Sequence, residues 1–443
     1  MTCSKHQILL EPKCGDGTPN MTARRPSQVG ILAPLRHRDF RLLWTGLVVS
    51  LLGDGIFLVA VAWEAYKIDD RPSALAGVGL ATSAPQVVLL LFGGAVSDRL
   101  PRRMVLVAAD SARALAVGSL AVLASLGHLG LWELWAVAFV IGAATAFAAP
   151  AFDAIVPTLV PEERLLEANG LDQFMRPAAL QLLGPAIGGV LLTTVGSAGA
   201  FGTDALSFVI SGCCIAALSP VASVTVPVES GSLWADIGVG LRYVRSQVWL
   251  WGTFVSATFT YLLFLGPTYV LVPYLVKNRL HGSAATLGVV LGLGGLGALS
   301  AAAVTAQVGD RGRHPITFLY AAWTGATLLV AGYGLVTLRW QLAALVFSVG
   351  ALEAAGTVVW ATLKQRLVPS RLLGRVSSID WFVSTALMPL SYVLTPLVVR
   401  LVGVSATFEL AGTLGAVVTL GFLFLPGMRT NERPTTAPEV AGR

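Results

Sequence analysis

Between residues 40 and 426 the chain alternates long apolar runs with short polar ones. A helix needs about 20 mostly apolar residues to cross a bilayer. The pattern predicts twelve such spans, over 42–65, 74–97, 104–127, 131–156, 174–195, 200–218, 251–275, 284–308, 315–337, 341–363, 376–399 and 404–425. Most connections are short. The exception is 219–249, where Leu233, Ile237, Leu241 and Val244 recur at helical spacing and predict an amphipathic helix at the membrane interface. The expected organisation is a tail over 1–39, a six-helix half over 40–218, a linker over 219–249, a second half over 250–426 and a tail over 427–443.

Composition supports this reading. The chain of 443 residues is 55% hydrophobic and only 12% charged, against roughly 25% charged in soluble domains. An all-α, multi-pass membrane protein is expected. Its 47 glycines suit helices that pack closely in lipid. Residues 1–39 hold no apolar run longer than Ile8-Leu9-Leu10, so no cleavable signal is expected and the first span itself serves for insertion. Met21 is an alternative start. Cys3, Cys14 and the adjacent Cys213 and Cys214 fit neither a disulfide framework nor a metal site.

Charge then sets the sides. With residue 40 on the inside, the cytoplasmic segments hold 23 of the 30 Lys and Arg. The opposite side holds only Lys67, Arg71, Lys277, Arg279, Arg339 and Arg400, and Arg113 lies within a span. By the positive-inside rule, both termini and the linker are cytoplasmic, in the plasma membrane. The net charge of +6 is thus a topology signal, and no nucleic-acid partner is expected.

Twelve spans split evenly by one long loop suggest duplication. Residues 150–172 align with 356–380 at an offset of 208, placing Leu159-Val160-Pro161 on Leu367-Val368-Pro369, Leu165 on Leu373 and Asp172 on Asp380. A weaker echo pairs SDRLPRR, 97–103, with GDRGRH, 309–314. Parallel six-helix repeats about an axis along the membrane normal are a transporter architecture.

The loop after span two reads GAVSDRLPRR, 94–103. It resembles the signature loop of the major facilitator superfamily in Gly94, Asp98, Arg99, Arg102 and Arg103, with Pro101 in place of the usual glycine. The resemblance implies a latch that closes the cytoplasmic side in the outward-facing state. Asp98 would sit against a positive helix end, and Asp153 would be an acidic partner for the loop arginines. Basic loops also arise from topology alone. On span five, LLGPAIGG, 182–189, resembles an exporter element of that superfamily in Gly184, Pro185, Gly188 and Gly189, although ordinary small-residue packing gives the same spacing. With LVPEERLLEANGLD and GLRYVRSQVWL, the chain is similar to the drug:proton antiporter branch that contains macrolide-efflux and enterobactin-export proteins. One departure stands out. Many of these carry an arginine in span four, and 134–152 has no basic residue, so their proton pathway does not transfer.

Asp110 and Arg113 sit one turn apart and are expected to pair within the latch region. GLGGLG, 292–297, satisfies a dinucleotide-binding spacing, but it lies inside span eight and lacks the preceding strand such a site needs. No phosphate-binding loop, zinc-hydrolase helix or serine-hydrolase elbow is present. An enzyme is not expected, and no cofactor beyond a proton gradient as energy source.

Acids at membrane depth are the remaining candidates. Asp54 lies near the middle of span one, and Glu353 at similar depth in span ten. Each costs roughly 2.5–3.5 kcal/mol on insertion scales, which marks such positions as functional by default. Both are candidates for proton coupling or substrate contact, with Glu64, nearer the interface, a weaker third. Asp54 could also serve only as a polar contact within the bundle. The expected function is proton-coupled export of hydrophobic or amphipathic small molecules by alternating access, by a monomer whose partners are substrate, protons and the bilayer. Siderophore or lipid-like metabolite export, and a substrate sensor with a transporter fold, are the alternatives.

Overall fold

Lipid offers no hydrogen-bond partner to a backbone N–H or C=O, so each apolar run satisfies its own backbone as helix. A computed structural model describes residues 32–161, 164–219, 233–308 and 314–432, without side chains for 90–99, 166, 233–237, 306–308, 370–371 and 431. The tails that hold Cys3, Cys14 and Met21, and most of the 219–232 connection, lie outside the described residues.

The first half consists of α1 (Arg38–Ile68), α2 (Pro72–Arg99), α3 (Arg102–Ser125), α4 (Leu131–Leu159), α5 and α6 (Gly196–Ala216). Helix α5 joins Leu165–Pro177, a π segment Ala178–Leu183 and Gly184–Thr194. A short helix, α7 (Leu233–Ser246), precedes the second half. There α8 runs through Val248–Gly266, a π segment Pro267–Leu271, Val272–Tyr274 and a second π segment Leu275–Arg279. It is followed by α9 (Ala284–Val308), α10 (Pro315–Tyr333), α11 (Arg339–Leu367), α12 (Ser370–Ala386) and α13 (Met388–Leu423).

Ten helical stretches are long and apolar enough to cross a membrane, and α2 adds another. One of the ten, Leu372–Leu423, is 52 residues long and crosses twice. It turns at Gly403, whose φ of 83° a side chain would strain. Its limbs pack along α8, Gly266 meeting Ser391 and Thr260 hydrogen-bonding Thr419 at 2.9 Å, while Arg279 reaches Ser405 near the turn at 3.0 Å. Twelve crossings in two six-helix repeats result. Large apolar side chains such as Leu115, Trp132 and Leu401 stay exposed, as lipid-facing positions do.

The repeat extends to details of capping. Glu133 accepts the Gly130 N–H at the start of α4, and Gln341, 208 residues on, accepts the Leu338 N–H at the start of α11. Helices α5 and α12 start earlier than the expected spans, at Leu165 and Ser370. The added turns, LLEANGLD and SRLLG, are amphipathic. They continue the helix beyond the lipid, where a search for apolar length does not see them. Helix α7 docks on the second half through buried Val244 and a Tyr243 hydroxyl that donates to the Leu367 carbonyl, while Leu241 stays exposed.

Two faces follow from the topology. The proximal face holds the start of α1 and the end of α13; the distal face holds the turns at 69–71, 126–130, 280–283 and 334–338. Between them, α5 is the seam. A Cβ on Gly184 would lie 2.7 Å from the Gly55 Cα of α1, and one on Gly288 of α9 would lie 2.4 Å from the Pro185 carbonyl oxygen. Further along α9, Gly292 and Gly295 face α5 while Gly294 and Gly297 face α11, so helix packing accounts for GLGGLG. In α8, the Ser391 hydroxyl accepts the Gly266 N–H at 2.8 Å and donates to the Leu262 carbonyl at 2.7 Å, inserting itself into the helical ladder.

Close backbone contact makes the seam intolerant of added volume. Gly184→Ala should destabilise the protein by about 1–3 kcal/mol through overpacking. Gly170→Ala is the contrast: a Cβ there meets nothing within 4 Å, and helix propensity favours it by up to about 1 kcal/mol. Thermal unfolding of the purified variants in detergent should rank them in that order, and equal midpoints would contradict the packing argument.

Candidate functional site

In the first half, five ionisable side chains from four helices gather in the interior. Asp54 on α1 is half-buried and lies within electrostatic range of Asp110 and Arg113 on α3 and Arg176 on α5. Arg113 forms an ion pair with Asp110 at 3.5 Å and donates to the Thr145 hydroxyl of α4 at 2.9 Å. Its guanidinium carbon stands 5.5 Å from the centre of the Phe208 ring of α6. The fifth member is Asp204 on α6. It is 0% exposed, lies within electrostatic range of Asp54, and accepts a bond from Ser207 at 3.4 Å on Oδ1. Gly53 makes the approach possible, because a Cβ there would lie 2.4 Å from Asp204 Oδ1.

Sequence reasoning missed Asp204, although AFGTDALSFVI, 200–210, carries the same signal as the run around Asp54. Four helices bring the charges together, and sequence spacing gives no hint of it.

Glu353 sits apart. It lines a cavity of about 40 Å³ in the second half with Ser256, Thr260 and Tyr261 of α8, Thr327 of α10 and Thr419 of α13. This space is roomy enough to admit water. At the 208-residue offset, Glu353 corresponds to Thr145, the acceptor of Arg113, rather than to Asp54. Glu64 is buried and pairs with Lys67 at 3.1 Å.

At the proximal face, Gly94, Asp98 and Arg99 occupy the last turns of α2, and their side chains lie outside the described residues. Arg102 donates to the Ala154 carbonyl of α4 at 2.8 Å, and Arg103 to the Ala216 carbonyl of α6. Both satisfy carbonyls near helix C-termini, where cations are favourable. Asp153 adjoins Ala154, with Arg176 and Asp172 as its charged neighbours. The repeat partners Asp172 and Asp380 each hold a cation, Arg176 at 3.2 Å and Lys364 respectively. Gly184, Pro185, Gly188 and Gly189 form the α5 seam, Gly188 against Ile56 of α1 and Gly189 against Ala284 and Ala285 of α9.

At the distal face the two halves are joined. The Tyr66 ring packs edge-on against Tyr274, centroids 5.6 Å apart, and its hydroxyl donates to the Val270 carbonyl at 2.6 Å. Asp70 accepts from Lys277 at 2.9 Å and from Asn278 at 3.0 Å, and Lys277 also reaches the Tyr66 carbonyl. Tyr66 with Tyr274 and Asp70 with Asn278 are both pairs 208 residues apart. Repeat-equivalent residues that touch lie on the pseudo-symmetry axis, so the junction is on that axis. Partial burial pushes the Asp70 carboxyl up, but the bonds from Lys277 and Asn278 and the Lys277 charge outweigh it and hold Asp70 below its ordinary value.

A two-fold helical repeat, a glycine seam between the halves and buried acids define a multi-pass membrane transporter. The sequence profile described as transmembrane secretion effector, within the major facilitator superfamily, matches residues 29–439, and the chain belongs to that family. It is 24% identical over 382 residues to macrolide efflux protein A of Streptococcus pyogenes, covering 85% of this chain and 93% of that one. It is 25% identical over 347 residues to the enterobactin exporter EntS of Citrobacter koseri, covering 77% and 81%. Among solved structures, a POT family transporter in complex with a thioalcohol-conjugated peptide superposes with a TM-score of 0.68 at 12% identity, over 86% of this chain and 95% of that one.

The distal junction predicts a conformational response. Lys277→Met removes an exposed ion pair worth about 0.2–1 kcal/mol, so separation of the halves at that face should rise roughly 1.4- to 5-fold. Distances between spin labels at His128 and Thr337 would report it. The depressed Asp70 carboxyl keeps its bonds above the ordinary carboxylate range and loses them only as pH falls through its lowered value. The shift that Lys277→Met produces in the distance distribution should therefore be the same at pH 8 and pH 5, and a shift that shrinks at pH 5 would contradict the assignment.

Proposed function

We propose that the protein is a proton-coupled exporter of hydrophobic or amphipathic small molecules, drawn from drugs, antibiotics or secondary metabolites. It works by alternating access between its two six-helix halves. The observation that carries this reading is the buried carboxyl cluster around Asp54, set in a chain of an exporter-containing family. An acid at that depth is costly unless it exchanges a proton or meets cargo. Similarity to the macrolide efflux protein supports a bulky, weakly polar cargo. Similarity to the enterobactin exporter supports the second reading, export of a siderophore-like metabolite.

The basic residues orient the molecule. The proximal face, rich in Lys and Arg, is cytoplasmic, and the distal junction closes the outside. This is the inward-facing arrangement, in which cargo enters from the cytoplasm or inner leaflet while a proton leaves. In the outward-facing arrangement a proton returns to the acids and cargo departs. The proton gradient drives the cycle, and no further cofactor is required.

Two measurements test this. With native cysteines replaced, a cysteine introduced in the α7 linker should resist an impermeant maleimide added to intact cells, and one at Arg71 should react. The reverse pattern would overturn the orientation. In everted vesicles with an acid interior, uptake of a macrolide and of a lipophilic cationic dye should collapse when the gradient is dissipated. Asp54→Asn should cut gradient-driven uptake to about a tenth or less, a loss of roughly 1.4 kcal/mol or more, and Glu353→Gln should reduce it as well. Full activity in both variants at normal protein level would remove these acids from the coupling path.

A further inference from the structure

Asp204 is the buried acid with the least to satisfy it. Its side chain is fully enclosed, and Oδ2 has no hydrogen-bond partner among the described residues. An ionised carboxylate left so in a low-dielectric interior loses its hydration without replacement. A protonated carboxyl fits better, since its hydroxyl can donate to a neighbouring oxygen. Its Oδ1 lies against α1 at Gly53, where an added Cβ would stand 2.4 Å away, and Asp54, the next residue, is within electrostatic range of it.

The surrounding charges narrow the choice. Helix α6 packs on α1, α3 and α5. From α1 comes Asp54; from α3 come Asp110 and Arg113; from α5, Arg176 acts on Asp54 while bound to Asp172. Arg113 is paired with Asp110 and also acts on Asp54 and Asp204, but its single charge offsets only one of the three carboxyls. Asp54 and Asp204 remain, two carboxyls within electrostatic range of each other in the interior, where ionising both is costly. A metal ion is a poor occupant, because among the described residues no three His, Cys, Asp or Glu side chains are placed to share one.

We propose that Asp54 and Asp204 form a single proton-carrying unit, a carboxyl pair across spans one and six that holds one shared proton. Asp54, half-buried, is the member that exchanges with water or cargo. Asp204, enclosed behind it, retains the proton between exchanges by forming an O–H bond on one carboxylate oxygen and releasing it by the same route. The Asp110–Arg113 pair fixes the charge around the unit, and Glu353, in the other half, is not part of it. The proposal rests on the proton-coupled reading above and assigns the coupling step to the first half.

The test uses the full-length protein in lipid nanodiscs. Infrared difference spectra between about pH 5 and pH 9 should contain the C=O band of a protonated carboxylic acid. Asp204→Asn should remove that band, and so should Asp54→Asn, while Glu353→Gln should leave it. Dicyclohexylcarbodiimide, which attacks protonated carboxyls in apolar surroundings, provides a measurement on the unaltered chain. Peptide mass spectrometry should find the adduct on Asp54 or on Asp204, with doubly modified molecules absent. A band that survives intact in well-folded Asp204→Asn, or label on neither acid, overturns the shared unit. Uptake in vesicles indifferent to the pH gradient would instead overturn proton-coupled export, and the infrared and labelling results would still report separately on the pair.

Discussion

Backbone meets backbone along α5, and the rest of the architecture depends on that contact. Lipid tails are as apolar as the helices, so the hydrophobic effect does not press helices together within the membrane. Dispersion at short range has to do it, and it works only where side chains do not intervene. Gly55 against Gly184 on one side of α5, and Gly288 against Pro185 and Gly189 on the other, bring three helices to touching distance. One of the three belongs to the opposite half. The same helix thus packs the first half and seals it to the second.

The same economy of volume places the charges. Gly53 is what allows the Asp204 carboxylate to reach α1, and Arg113 finds its acid on α3 and its hydroxyl on α4. Among the described residues, the second half has no matching arrangement. Thr145 faces Arg113, but its repeat equivalent Glu353 faces hydroxyls and a small cavity. Duplication supplied two similar scaffolds, and their interiors have since taken on different polar chemistry.

The crossings, their repeat and the intramembrane acids Asp54 and Glu353 are all legible in the sequence, because each rests on apolar run length or on a polar residue where none is expected. Helix ends at Leu165 and Ser370 are not, since amphipathic turns outside the lipid carry no apolar excess. Asp204 was legible by the rule that picked out Asp54. Its proximity to Asp54 was not, because that depends on how α1 and α6 are turned toward each other. The distal junction is an intermediate case. Tyr66 with Tyr274 and Asp70 with Asn278 are visible as equivalents at an offset of 208, yet only an axis running between them turns equivalence into contact.

The wide turns of α5 and α8 carry a consequence for how the halves part. A π turn stores more chain per turn than an α turn, and such segments occur often at functional sites. A wide turn can migrate along a helix by exchanging one hydrogen bond at a time, rotating the residues it passes while the backbone stays satisfied in lipid. In this protein the stored chain lies at the joins. Leu180, Gln181 and Leu182, which meet α1 and α9, fall within Ala178–Leu183; Val270, which receives the Tyr66 hydroxyl, falls within Pro267–Leu271; Lys277 falls within Leu275–Arg279. The two halves are therefore held together by the stretches of helix whose register is least fixed, and a seam of that kind can be re-threaded without being unpicked.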